Sequence, residues 1–390
     1  MSETINKFDS HVMHTYGRLP IVLEKGHGEF ASDENDKQYI DFGSGIGTNS
    51  LGYCNDKWAE AVCAQVRSIQ HTSNYFYTKV QADYAAELCG KTGYSTVFFG
   101  NSGAEANECA IKLARKYSFD KYGKGRHTIV TLVNSFHGRT LATLSATGQE
   151  VFHNYFFPFA EGFVNVEAND IDGLRKLISE DKTICAVMFE FVQGEGGVNP
   201  LDKAFVDEIF KLCGENDILT VADEVQTGIG RTGSLLTSMS YGVKPDITTL
   251  AKGIAGGIPM GACLAAEKCA EVLGKGTHGS TFGGNPIACA GAAVVMETVT
   301  ADGFCDEVVK KGKYLTEKLM AMPEIEGVDG MGLMLGARLK TKKAADILTA
   351  AADKGLLILT AKEKLRFLPP LTITYEEIDK GMEILSELLA

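Results

Sequence analysis

The sequence predicts an α/β protein: a mainly parallel sheet between helices, followed by a smaller α+β unit. Two patterns and a length carry that expectation. Between about residues 95 and 265, short continuous apolar runs alternate with helical segments, as strands buried on both faces require. From about residue 300, an amphipathic helix gives way to shorter mixed elements. The 390 residues exceed what one hydrophobic core usually supports, so two packed units are expected.

The apolar runs are Thr96–Phe99, Thr128–Leu132, Ala186–Phe189, Ile218–Ala222, Asp246–Leu250 and Gly261–Ala265. Helical spacing occupies 104–117, 171–179 and 203–215 between them. In the second unit a long helix at 306–321 leads to strands near 332–339, a helix at 341–354, and strands at 356–360 and 364–368. The capping box Thr374-x-x-Glu377 opens a last helix that runs to the end. The first fifty residues look like strands and turns, too few to fold alone. The expected division is 1–47 packing with the small unit, 48–290 as the large domain, and 291–390 as the small C-terminal domain.

Composition excludes several classes of function. A formal net charge of −12 and a pI near 5.2 repel nucleic acid on average, although a local basic pocket for a small anion remains compatible. The first residues hold no apolar core or small-residue cleavage pattern, so a secretory signal is not expected. No apolar run approaches the length of a membrane span. Ten cysteines are scattered without a Cys-x-x-Cys pair, and most, such as Cys109, Cys185 and Cys289, lie in apolar or helical surroundings. They read as reduced thiols in a cytoplasmic protein. The eight histidines are dispersed, and nothing completes a metal site around His11 and His14.

Open α/β sheets bind ligands at the carboxyl ends of their strands. The residues just after each apolar run are therefore the candidates. After Phe98-Phe99 comes Gly100-Asn101-Ser102-Gly103-Ala104-Glu105, which opens a helix. Ser102 and Glu105 fit a capping box, and that alone explains them. Equally, the free amides of this helix start, with Gly103 permitting close approach, fit a phosphate. After Val221-Ala222 comes Asp223, and after Leu250-Ala251 comes Lys252 with a glycine-rich stretch behind it. Each alone is commonplace. A carboxylate and a lysine at successive strand ends, however, can face one pocket. That pair is what pyridoxal phosphate needs: an amine for its aldehyde and an acid to keep the ring nitrogen protonated. A lysine among small apolar residues also has a lowered pKa, which suits a nucleophile and base.

Arginine is scarce, nine residues against twenty-nine lysines. Arg139 follows Phe136-His137-Gly138, and Arg366 sits in the apolar run before Pro369-Pro370. Guanidinium in such settings suits bidentate carboxylate recognition. His137 is open to two readings, a general base or a structural histidine. No Gly-x-Gly-x-x-Gly opens a strand–helix–strand unit, which weighs against a nucleotide-dependent dehydrogenase.

Taken in order, several stretches resemble the class III aminotransferases of pyridoxal-phosphate fold type I, over nearly the whole chain. They are Asn101-Ser102-Gly103-Ala104-Glu105-Ala106-Asn107-Glu108, Phe136-His137-Gly138-Arg139-Thr140, Gln193-Gly194-Glu195-Gly196-Gly197, Asp223-Glu224-Val225-Gln226-Thr227-Gly228, and Thr277-His278-Gly279-Ser280-Thr281-Phe282-Gly283-Gly284-Asn285-Pro286. Within the family, Phe136 to Gln149 together with Thr277–Thr281 is most similar to members that act on N-acetylornithine. Members acting on ornithine typically carry tryptophan where this chain has His137, and those acting on GABA usually lack the later His-Gly-Ser-Thr form. Ala104 departs from the threonine of many relatives. That matters little if backbone amides hold the phosphate, and more if a hydroxyl is required.

The resemblance implies a seven-stranded sheet and these roles. Lys252 links to the cofactor and carries protons. Asp223 pairs with the ring nitrogen, and Gln226 approaches the ring hydroxyl. Phe136 and Val225 sandwich the ring, while Ser102, Gly103 and Ala104 take the phosphate. Thr281 reaches the phosphate of a neighbouring subunit in a homodimer, and Ser280 lies near substrate. Arg139 binds the carboxylate far from the reacting carbon and Arg366 the α-carboxylate of glutamate. Glu195 covers Arg366 when the substrate is N-acetylornithine; a plain glycine-rich turn is the alternative reading of Glu195. The implied reaction is ping-pong transfer of the δ-amino group of N-acetylornithine to 2-oxoglutarate, with succinylornithine, ornithine or GABA as rival donors.

Overall fold

A computed structural model describes residues 2–390. Its largest sheet has seven strands in the order Thr96–Gly100, Gly261–Ala265, Ile247–Leu250, Leu219–Asp223, Ile184–Phe189, Thr128–Leu132 and Phe163–Val166. All neighbours run parallel except Gly261–Ala265, which is antiparallel to both of its partners. Every residue of Thr128–Leu132, Ile184–Phe189 and Leu219–Asp223 is buried, as two helix-covered faces demand.

The long helices Gly103–Tyr122, Ile171–Glu180 and Lys203–Asn216 fall where helical spacing predicted them. Four features were not legible. Phe163–Val166 is an edge strand whose Asn165 interrupts the apolar run. Ile325–Met331 hides its strand character behind Gly327 and Gly330. The reversed direction of Gly261–Ala265 leaves no mark in residue type. The N-terminus is not all strand and turn either: Ser2 caps a helix over Glu3–His11 with no buried residue.

After the large sheet, the helix Pro286–Val299 packs against Asp56–Ser68 and Lys79–Thr92, so position 290 lies inside one continuous helix. The C-terminal region forms an antiparallel sheet in the order Ile325–Met331, Met334–Leu339, Lys364–Phe367, Leu359–Ala361, with helices Phe304–Met320 and Ala344–Asp353 against it and Tyr375–Leu389 packed on those two helices and Leu356–Leu357. Near the N-terminus, the meander Leu23–His27, Phe30–Asp33 and Gln38–Asp41 continues into Leu356–Leu357, with Ile40 opposite Leu356 in parallel register. One apolar core runs through all these parts, from Phe42 and Ile254 to Val295, Leu315, Phe367 and Ile378.

A buried arginine ties the parts together. Arg231 Nη1 donates to the carbonyls of Leu333 and Pro369, with no carboxylate beside it among the described residues. No single described helix is long and apolar enough to cross a membrane.

Candidate active site

Asp223 ends its strand at the centre of the sheet. Its Oδ2 accepts from His137 Nδ1 at 2.8 Å and from Asn107 Nδ2 at 2.8 Å, while Oδ1 accepts from the Val225 amide at 3.0 Å. Thr249 Oγ1 donates to Asn107 Oδ1 at 2.7 Å, which fixes the amide so that its NH2 faces Asp223 and the His137 carbonyl. His137 is buried with Nδ1 turned to the carboxylate, which places the ring proton on that nitrogen. The histidine is thus engaged in holding Asp223, in line with the structural reading.

Lys252 follows the next strand at the start of a short 3-10 turn, with φ +46. A non-glycine residue in the left-handed region costs on the order of 1–3 kcal/mol, and such strain is concentrated at functional sites. The lysine is half-buried and lines a cavity of about 400 Å³. Burial lowers its pKa, partly offset by the charges of Glu195 and Asp223. Ser102, Gly103, Ala104, Phe136, Arg139, Asp223, Val225 and Gln226 line the same cavity.

At one end of that cavity the helix Gly103–Tyr122 begins. Ser102 Oγ accepts from the Glu105 amide at 3.2 Å, half of the expected capping box. The other half differs: the Glu105 carboxylate reaches back to the Asn101 amide and Asn101 Nδ2. First-turn amides have no intrahelical acceptor, so those of Gly103 and Ala104 stay available. Gly103 is required by its neighbour, because a Cβ there would stand 2.7 Å from Val225 Cγ1.

The two arginines differ in setting. Arg139 is exposed, with its guanidinium 4.2 Å from the Phe152 ring centre and 5.5 Å from that of Phe136. Arg366 is 4% exposed on the strand Lys364–Phe367, where Nη1 donates to Glu195 Oε1 at 2.6 Å and to Gln226 Oε1 at 3.4 Å. Burial pushes the Glu195 carboxyl up, but the Arg366 guanidinium and Lys252 outweigh it, and the net position is below the ordinary value. Glu195 therefore meets Arg366 as a charged partner. Gly194 makes room for the contact, since a Cβ would meet the Gln226 side chain at 2.5 Å.

Ser280 and Thr281 do not line the cavity of their own chain, although Ser280 contacts Asn101, which does. Ser280 Oγ accepts from Asn101 Nδ2 at 3.1 Å and from the Gly283 amide at 3.0 Å. Thr281 is exposed, next to an exposed Phe282.

The sequence reading missed Asn107, Thr249 and Glu190. Glu190 directly follows the strand Ile184–Phe189, so the rule that found Asp223 and Lys252 also points to it. It is buried, with Oε2 accepting the Phe136 amide at 3.0 Å and Oε1 the Gly194 amide at 3.4 Å. Burial and then the charge of Asp223 raise its pKa well above the ordinary value, while its two amide contacts brace both segments.

A strand-end lysine, a central carboxylate and a helix start opening on one cavity define a pyridoxal-phosphate enzyme of fold type I. The chain matches the aminotransferase class-III family over residues 12–389 and belongs to it; it is a pyridoxal-phosphate-dependent transaminase. It is 49% identical to the acetylornithine aminotransferase of Haemophilus ducreyi, over 100% of this chain and 99% of that protein. It is 46% identical to the acetylornithine aminotransferase of Caldanaerobacter subterraneus, over 97% of each. Among solved structures it resembles the ornithine aminotransferase of Toxoplasma gondii, with TM-score 0.94, 30% identity and coverage of 98% and 93%. The N-acetylornithine aminotransferase of Stenotrophomonas maltophilia gives TM-score 0.84, 35% identity and 96% of each chain.

Proposed function

We propose that the enzyme transfers the δ-amino group of N-acetylornithine to 2-oxoglutarate, giving N-acetylglutamate 5-semialdehyde and glutamate, as a cytoplasmic homodimer in arginine biosynthesis. The observation that carries the reading is the 2.6 Å contact between Glu195 and the buried Arg366, together with an Arg139 that lines the cavity and pairs with no carboxylate among the described residues. A monocarboxylate donor needs one arginine. The dicarboxylate acceptor needs two.

The residues of the cavity fit pyridoxal phosphate. Gly103 and Ala104 present amides where a phosphate would sit, with the Ser102 hydroxyl beside them. Phe136 and Val225 line the same space from different segments, as a sandwiched ring requires. Asp223, fixed by three hydrogen bonds, would be the acid for the ring nitrogen, and Gln226, which lines the same cavity, would approach the ring hydroxyl. The bound cofactor supplies an aldehyde for the amine and a protonated ring that draws electron density from the reacting carbon.

Lys252 Nζ would hold that group at rest. When free, it would take the proton from the substrate δ-carbon, and its lowered pKa keeps it able to accept one. Arg139 binds the substrate α-carboxylate, or the γ-carboxylate of glutamate in the second half-reaction. Glu195 keeps Arg366 compensated while N-acetylornithine reacts and gives way to the α-carboxylate of glutamate. An unpaired Arg366 would otherwise cost several kcal/mol. Exposed Thr281, with Ser280 next to it, supports a role in the neighbouring subunit's site. The exposed Tyr75, Phe76 and Tyr77 supply apolar surface for such a partner.

The test is a donor panel of N-acetylornithine, succinylornithine, ornithine and GABA with 2-oxoglutarate, using Lys252→Ala as the blank. The highest kcat/KM is expected for N-acetylornithine. Higher kcat/KM for another donor reassigns the substrate, and turnover by Lys252→Ala overturns the mechanism.

A further inference from the structure

A second cavity, of about 210 Å³, lies on the other side of the helix Gly103–Tyr122 and shares no lining residue with the first. Cys109 on that helix and Cys263 on the strand beneath it both line the space, joined by Cys269 and by His278 at the rim. All three thiols are buried.

The histidine is held in one tautomer. Lys112 Nζ donates to His278 Nδ1 at 2.9 Å and to the Thr277 carbonyl at 2.8 Å, while Phe98 packs against the ring at 4.5 Å between centres. An ammonium only donates, so Nδ1 accepts and the ring proton sits on Nε2. Cys263, which lines the same cavity, acts most strongly on the Cys109 sulfur. With His278 and Lys112 it brings the Cys109 pKa below the ordinary thiol value against the opposing effect of burial. The Cys263 pKa rises, and burial pushes Cys269 up to about 12. Buried thiols in apolar surroundings go up, as Cys185, Cys213 and Cys289 do. Among the buried cysteines, Cys109 alone goes down.

We propose that Cys109 is a peroxide-reactive nucleophile, resolved by Cys263 into an intrachain disulfide. The Cys109 sulfur attacks one oxygen of hydrogen peroxide, the O–O bond breaks, and the departing hydroxide takes a proton and leaves as water. Cys109 is then a sulfenic acid, oxidised by two electrons. The Cys263 sulfur attacks it, the S–S bond forms, the S–O bond breaks, and the proton of Cys263 leaves with the hydroxide as a second water. One peroxide and two thiols thus give one disulfide and two waters. A space of this size is ample for peroxide, which is little larger than water. The bridge would tie the helix that opens on the catalytic cavity to the strand beside the one carrying Lys252.

The test uses the pyridoxal-phosphate-loaded enzyme and no turnover assay, so its outcome is independent of the donor. After peroxide treatment and thiol blocking, mass spectrometry should find Cys109 and Cys263 in one linked peptide pair. Cys263→Ser should leave Cys109 as a sulfenic acid trapped by dimedone, and Cys109→Ser should give neither product. In native wild type, the pH midpoint for iodoacetamide reaction at Cys109 should lie at least about one unit below those of the exposed Cys54 and Cys63. His278→Ala should raise that midpoint. A Cys109 that stays unoxidised while Cys54 and Cys63 react, or an equal midpoint at the three sites, overturns the proposal.

Discussion

Glu195 and Arg366 show how one contact serves two substrates, and they carry a pH signature. The carboxyl lies below its ordinary value in the folded protein, so its contribution to stability is present above the unfolded glutamate pKa of about 4.3 and is lost as pH falls through the folded value. The Tm gap between wild type and Glu195→Gln should be steady near neutrality and close in that acid range. A gap that persists to about pH 3 would show that charge pairing is not its source. In catalysis, Glu195→Ala should change the two half-reactions unequally, read by single-turnover rates with each amino donor; equal slowing removes the switch. At this scale Lys252 and Asp223 were legible because strand ends are where such sheets bind ligands. His137 and Asn107 were not, because no spacing rule tells that a histidine and an asparagine thirty residues apart meet one carboxylate.

The helix Gly103–Tyr122 is the element on which cofactor retention turns. Its first glycine is packed against Val225, so the two segments approach as closely as backbone allows. Gly103→Ala forces Val225 aside, an overpacking cost of about 1–3 kcal/mol falling on the phosphate end of the cavity. Cofactor affinity should drop roughly tenfold or more, measured by absorbance titration of the apoenzyme, with the Tm of the apoenzyme changed much less. Unaltered affinity would mean that this helix start does not set the grip. The strands buried on both faces were readable from their continuous apolar runs, while the edge strand Phe163–Val166 and the glycine-bearing Ile325–Met331 were not. Strand direction was also beyond reach, since an antiparallel Gly261–Ala265 has the same apolar run as a parallel one.

For the molecule as a whole, we propose 1–47, 48–290 and 291–390 as its working parts, joined through the continuous core and Arg231. Arg231→Met strips the Leu333 and Pro369 carbonyls of their donor and should destabilise the protein by at least about 2 kcal/mol, seen as a lower urea midpoint. Retained stability would mean that packing alone holds the parts together. The sequence foresaw two units but not their seam, because an arginine bound only by carbonyls leaves no partner residue to look for.

The N-terminal meander that finishes against Leu356–Leu357 also sets a schedule for the ribosome. Ile40 emerges more than three hundred residues before its partner Leu356, a delay on the order of tens of seconds at bacterial or eukaryotic synthesis rates. Throughout that interval the edge of Gln38–Asp41 stays open to any passing extended segment. The nascent chain is thus most in need of chaperone cover around Gln38–Asp41, and it is the emergence of Leu356–Leu357 that ends the need.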